Sequence, residues 1–261
     1  MPGEAIRAHK AIARAGLASL REAEQLIRQG HVRINGQVVR TPGCSVVPGR
    51  DALEVNGVAL DWGAPRREAW ALYKPRACVT TLSDPQGRPT VRDFFPRAKS
   101  RLFPIGRLDY DAEGLILLTN DGELAQHIAH PSHGVEKTYL VKIKGLLEPE
   151  ELRRLAQGQT MEGRHRRPAR VRVLHTINDK TWLEVILREG IHHHIKQMFR
   201  KIGHRVLKIK RYQIGPVVLG DMQPGDVRRH SDEELAALSG EPAHPHARPR
   251  RRTQPPADTP Q

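Results

Sequence analysis

Between Ser19 and Gly30 the apolar residues Ala23, Leu26 and Ile27 recur at helical spacing, and Ser19 stands three positions before Glu22. In that arrangement the hydroxyl accepts from an orphan N–H while the glutamate reaches back to the cap, so the pattern predicts a helix start. Gly30 closes the helix, because glycine takes the left-handed conformation of a helix end at little steric cost. Beyond it the period drops to two. Val32 and Ile34 alternate with His31 and Arg33, and Asn35-Gly36 supplies the two positive-φ positions of a tight turn that returns the chain through 37–40. Asn56-Gly57 repeats the signal between Leu53/Val55 and Val58/Leu60. The first sixty residues thus read as a small unit of two helices followed by turn-rich strands. Residues 61–67 break both periods and contain Gly63 and Pro65, which marks a linker.

From Glu68 to about Ser239 short apolar runs are interspersed with a few amphipathic stretches, without the regular strand–helix repeat of a doubly wound sheet. Strands are predicted over 69–73, 115–119, 138–143, 171–175, 182–187 and 206–212, and helices over 123–129, 149–157, 191–202 and 232–238. The fold expected is α+β, a mostly antiparallel mixed sheet flanked by helices behind the small N-terminal unit. The domains fall at 1–60 and 68–239. Residues 240–261 form a tail with six prolines and the run 248–252 of Arg and Pro; it has too little apolar surface to fold alone and is expected to be disordered.

Charge then narrows the partner. Lys and Arg number 43 against 29 Asp and Glu, a formal net charge of +14, which points to a polyanion and first to nucleic acid. Arg7, Lys10, Arg14, Arg21, Arg28, Arg33 and Arg40 fall largely on the polar positions of the N-terminal elements and are candidate RNA contacts. Trp62, near the linker, is a further one. Aromatics make up only 4% of the chain, too few for a broad stacking platform, so recognition of RNA should rest on phosphates and shape. The longest aliphatic run, 115–118, is far too short for a bilayer, and no membrane partner is expected. The first residues carry no apolar segment of a secretory signal, and two cysteines, Cys44 and Cys78, make no disulfide framework; a reducing cytoplasm fits both.

Two stretches carry candidate chemistry. In 104–122 a polar loop with acids at 109, 111 and 113 runs directly into a buried aliphatic strand, which suits either a catalytic carboxylate or acids that bond their own backbone. In 191–211 there are seven Lys or Arg and no acid, and Ile195, Met198, Phe199 and Ile202 form an apolar stripe at helical spacing. His192, Lys196 and Arg200 line up beside that stripe, which sets Lys196 at the edge of the core, where a lysine needs an anion. His192, His193 and His194 are adjacent, so on a helix they point about 100° apart and cannot all face one metal ion.

The segment from Arg21 to Gly36 resembles the αL-type RNA-binding module of ribosomal protein S4, with Leu20 where that family more often has arginine. Five further motifs occur in order: Tyr-Lys-Pro at 73–75, Asp-Pro-Gln-Gly-Arg-Pro-Thr-Val at 84–91, Gly-Arg-Leu-Asp at 106–109, Glu-Lys-Thr-Tyr at 136–139 and Glu-Gly-Ile-His-His-His-Ile-Lys-Gln-Met-Phe at 189–199. Together they resemble the bacterial ribosomal pseudouridine synthases of the RsuA type. The resemblance implies isomerisation of uridine in ribosomal RNA, without cofactor or metal, on a base flipped out of its stack. It implies Asp109 as the essential aspartate, Tyr139 as the residue under the target base, Lys196 as the partner of the aspartate and Arg107 as a group that holds the nucleotide out. Lys74, Lys137, His192 and Arg200 are expected RNA contacts. The motif wording leans toward small-subunit RNA, the ribosomal subunit or an assembly intermediate is the expected partner, and a monomer suffices. A noncatalytic RNA-binding assembly factor on the same scaffold is the alternative from another class.

Overall fold

The computed structural model describes residues 4–240 apart from 64–66, 97, 99, 162, 167, 169 and 192. The expected disordered tail, the middle of the linker and His192 lie outside the described residues. The N-terminal unit runs β1 (Ile6–Arg7), α1 (Ala8–Arg14), α2 (Leu20–Gln29), β2 (Val32–Ile34), β3 (Gln37–Val39), β4 (Ser45–Val46), β5 (Leu53–Val55) and β6 (Val58–Ala59). At the start of α2, Ser19 and Glu22 exchange both hydrogen bonds of the expected capping box, and Gly30 ends it in the left-handed region. Asn35-Gly36 and Asn56-Gly57 all have positive φ, as their turns require, and they join β3-β2-β5-β6 into a four-stranded sheet. Ile12, Ile27, Val32 and Leu53 fill the space between helices and sheet. Trp62 packs on this core and its indole N–H donates to the Asp51 carbonyl at 2.9 Å, so its polar edge is turned into the protein rather than toward RNA.

The larger domain runs β7 (Ala69–Lys74), β8 (Phe103–Ile105), β9 (Glu113–Thr119), α3 (Gly122–Ala129), β10 (Lys137–Lys144), α4 (Pro149–Gln157), β11 (Gln159–Met161), β12 (Arg164–Arg166), β13 (Arg170–Ile177), β14 (Lys180–Leu187), α5 (His194–Arg200), β15 (Val206–Ile214), β16 (Val217–Val218), β17 (Val227–Arg229) and α6 (Asp232–Ser239). One nine-stranded sheet follows the order β13-β14-β10-β15-β9-β7-β17, with β16 on β15 and β8 on β9. Its pairings are antiparallel except β15 with β9.

Every residue of β9 is buried, because this central strand is covered on both faces. Ile116 and Leu118 face a core with Val141, Met198 and Phe199, while Leu115 and Leu117 face one with Leu124, Ile128 and Leu238. Where β9 meets β15, Gly114 has φ +113° and lies so close to the Arg211 backbone that no side chain fits. Between Thr138 and Tyr139 the pairing of β10 with β15 shifts register, an irregularity of the kind that re-aims a side chain.

Three expectations need correction. The helix predicted over 191–202 is confined to His194–Arg200, because His193 has φ +55° and cannot continue a right-handed helix. Lys74 is not an RNA contact: it is fully buried, and its ammonium donates to the carbonyls of Pro75 and Ala112, both at 2.9 Å. Lys137 is likewise buried, with its ammonium on the Ile128 carbonyl at 2.9 Å.

Candidate active site

Asp109 lies in the loop between β8 and β9, and the loop is stapled at several points. Thr80 Oγ1 donates to the Leu108 carbonyl at 2.7 Å and accepts from Leu108 N–H at 3.2 Å. Ala77 N–H donates to the Tyr110 carbonyl and Ala112 N–H to the Asp109 carbonyl. The buried Lys74 ammonium fixes the Ala112 carbonyl from beneath. Backbone held this way aims the Asp109 carboxylate at α5, whose apolar stripe of Ile195, Met198 and Phe199 is seated in the core. Lys196, beside that stripe, therefore arrives with its Nζ 3.1 Å from Asp109 Oδ2 and 2.6 Å from Asp111 Oδ1. His193 Nε2 stands 3.6 Å from the same Asp109 oxygen.

These side chains rim a cleft of about 380 Å³, lined on one wall by Arg107, Leu108 and Asp109, on another by His193 and Lys196, and at its floor by Tyr139, Lys137 and Arg211. Burial works against charge on Lys196, but its bonds to Asp111 and Asp109 outweigh that and raise its pKa above the ordinary lysine value. Burial opposes ionisation of Asp111 too, and the Lys196 hydrogen bond and charge overcome it, so this carboxyl titrates below its usual range. Lys137 is different. Burial, reinforced by the charge of Arg211, lowers it to about 8.

Arg211 crosses from β15 to the floor. Its Nε donates to the Leu115 carbonyl at 2.7 Å and its Nη1 reaches Tyr139 Oη at 3.5 Å, while its Nη2 is buried with no partner among the described residues. A buried donor without an acceptor is costly, so this guanidinium is held in place by the packing around it and by its other two bonds. Tyr139 offers the ring against which a planar group can pack.

The structure thus brings Asp109, Tyr139, Lys196, Arg107 and Lys137 to one cleft. Arg200 is exposed and does not line the cleft, and Lys74 lies beneath the loop. Arg7, Lys10, Arg14, Arg21 and Arg33 are exposed on the N-terminal unit. Residue patterns missed the contributions of His193, Asp111 and Arg211. For Arg211 a signal exists: it stands two places after Ile209 in a strand, and alternation puts both on the buried face. Glu113, the third acid of the loop, turns away and pairs with Lys208 at 2.8 Å. Among the described residues no cluster of His, Cys, Asp and Glu is arranged to hold a metal ion, and no helix is long and apolar enough to cross a membrane.

Comparison with known proteins adds an independent line. Residues 68–201 match the family model described as RNA pseudouridylate synthase, and residues 6–50 match that of the S4 domain. The ribosomal large subunit pseudouridine synthase B of Bacillus subtilis is 40% identical over 89% of this chain and 95% of its own length. A protein of Aquifex aeolicus described as an uncharacterized RNA pseudouridine synthase is also 40% identical, over 89% of this chain and 93% of its own length. A crystal structure of a pseudouridylate synthase superposes with a TM-score of 0.63 at 30% identity, covering 89% of this chain and 99% of that one.

Proposed function

Because the chain belongs to the RNA pseudouridylate synthase family, we propose that it isomerises uridine to pseudouridine in ribosomal RNA with Asp109 as its catalytic carboxylate. The observation that supports this reading is that Asp109, 3.1 Å from the Lys196 ammonium, lines one cleft together with Tyr139. Uridine and pseudouridine are isomers. The C1′–N1 bond breaks, C1′ bonds to C5, the C5 proton leaves, and N1 gains a proton, so no electron or group is gained or lost overall and no cofactor is needed.

A base inside a helix cannot reach such a cleft, and the target nucleotide must be flipped into it. Tyr139 packs under the flipped uracil, with the Arg211 guanidinium behind its ring in the cleft lining. Asp109 acts on the ribose or the base in the step that frees the uracil. Lys196 stays protonated and holds that carboxylate against the cleft. Arg107, exposed at the rim, supports the displaced nucleotide.

The basic N-terminal unit anchors flanking phosphates. The Bacillus subtilis relative is named for the large subunit, which favours large-subunit RNA over the small-subunit RNA expected from motif wording. The test is tritium release from C5-tritiated, unmodified small- and large-subunit transcripts, assayed separately with chelator present. Wild type should release tritium, chiefly from large-subunit RNA, and Asp109→Asn should not. Release by Asp109→Asn at the wild-type rate would remove Asp109 from the chemistry. No release from either RNA or its assembly particles, with tight binding intact, would instead support a noncatalytic assembly factor.

A further inference from the structure

The Asp-Pro-Gln-Gly-Arg segment at 84–88 has no role in the mechanism above, yet it is built around one object. Asp84 is nearly buried at its side chain and grips Arg88 twice, Oδ2 to Nε at 3.0 Å and Oδ1 to Nη2 at 2.7 Å. The same carboxylate accepts the Arg88 backbone N–H at 3.0 Å, and Gly87, with φ +67°, lets the turn close. The result is a guanidinium with little freedom, 5.9 Å from the centre of the Tyr110 ring.

Tyr110 directly follows Asp109, its backbone carbonyl is fixed by Ala77 N–H, and 47% of its surface remains exposed. Its phenol packs into neither core of the domain, and it does not line the cleft. An aromatic ring steadied by a clamped arginine beside the catalytic loop has the chemistry of a stacking surface for an unpaired base. We infer that Tyr110, backed by Arg88, stacks on a nucleotide next to the flipped uridine and closes the gap the flipped base leaves, so that these two residues help decide which uridine is presented. This rests on the reading of the cleft as a uridine isomerisation site. It gives the chain one aromatic contact to RNA outside the cleft, with Arg88 adding a cation that Asp84 has already oriented.

The experiment combines kinetics with a crosslink. Tyr110→Ala should lower kcat/KM for tritium release by about five-fold or more, the low end of what base–aromatic stacking contributes. Tyr110→Phe, which keeps the ring, should stay near wild type, and Asp84→Ala, which frees the guanidinium, should fall between them. Tyr110 is exposed while the Asp84 side chain is nearly buried, so an unchanged Tm for each variant will separate lost stacking from lost fold. In parallel, p-azidophenylalanine at position 110 is irradiated with the full-length ribosomal transcripts, and primer extension should stop within two nucleotides of the pseudouridine. Wild-type kinetics for Tyr110→Ala, or crosslinks far from the modified position, would overturn the inference while leaving the isomerisation reading intact. Absence of tritium release by the wild-type protein would overturn both.

Discussion

Lys196 divides one positive charge between Asp111 at 2.6 Å and Asp109 at 3.1 Å, and the closer partner is the more exposed of the two carboxylates. Asp111 thus shares the ammonium from outside the cleft, and Asp109 keeps its own contact to it. Asp111→Asn should leave most of the tritium-release rate, whereas Lys196→Met should cost about 10²-fold in kcat, as for loss of a preorganised charged donor. Lys196→Arg should recover part of it, and single-turnover rates on the same transcript check all three. Gly114 makes a sharper claim on stability. A Cβ there would sit 2.1 Å from the Arg211 carbonyl oxygen, at a φ of +113°, so Gly114→Ala should lose about 3 kcal/mol in urea unfolding. The apolar helical stripe placed Lys196 at the edge of the core, whereas the loop pattern left Asp109 open between catalysis and backbone bonding, and only the family resemblance singled it out. The burial of Lys74 was not legible from sequence: the Ala112 carbonyl that makes its burial tolerable lies 38 residues away, and no local pattern records it.

Among the elements, long strands and helices announced themselves, while β8, β11, β12, β16 and β17 are two or three residues long and carry no readable period. The end of α5 was misplaced for another reason. Its stripe continues to Ile202, which is buried, but the backbone leaves the helix after Arg200 and reaches that site through a turn. Just beyond, His204 ties α4 to the end of β10, with Nε2 3.0 Å from Glu151 and Nδ1 2.9 Å from the Lys144 carbonyl. Burial opposes charge on this imidazole, yet the Lys144 carbonyl and Glu151 prevail and raise its pKa above the ordinary 6.5. A raised histidine stabilises the fold fully below its unfolded pKa, and that contribution disappears as pH rises through the folded value. Stability should thus fall by on the order of 1 kcal/mol from pH 6 into the alkaline range, the low end for a charged hydrogen bond because Glu151 keeps some solvent. In His204→Gln that slope should flatten; an equally steep slope would assign it to another group.

For the whole molecule, the division of labour between the two domains is a matter of range. In the proposed reaction the cleft would take a single nucleoside through short, directional bonds, whereas the exposed Arg7, Lys10, Arg14, Arg21 and Arg33 would act on phosphates through charge. Arg101 and Glu22 form an exposed ion pair at 3.1 Å between the two domains. Phosphate contacts release counterions, and each one lost should reduce the slope of log K against log salt by about 0.7 to 0.9. Arg21→Gln with Arg33→Gln should therefore weaken RNA binding at moderate salt and flatten its salt dependence by one to two such steps, while kcat at saturating RNA stays at the wild-type value. Filter binding across a salt series, paired with tritium release under saturation, measures both quantities. A fall in kcat with an unchanged slope would mean that the N-terminal unit orients the nucleotide in the cleft and is not merely a tether. The basic surface would then have to be placed within the catalytic geometry, and Arg101–Glu22 would be the first contact to break in testing it.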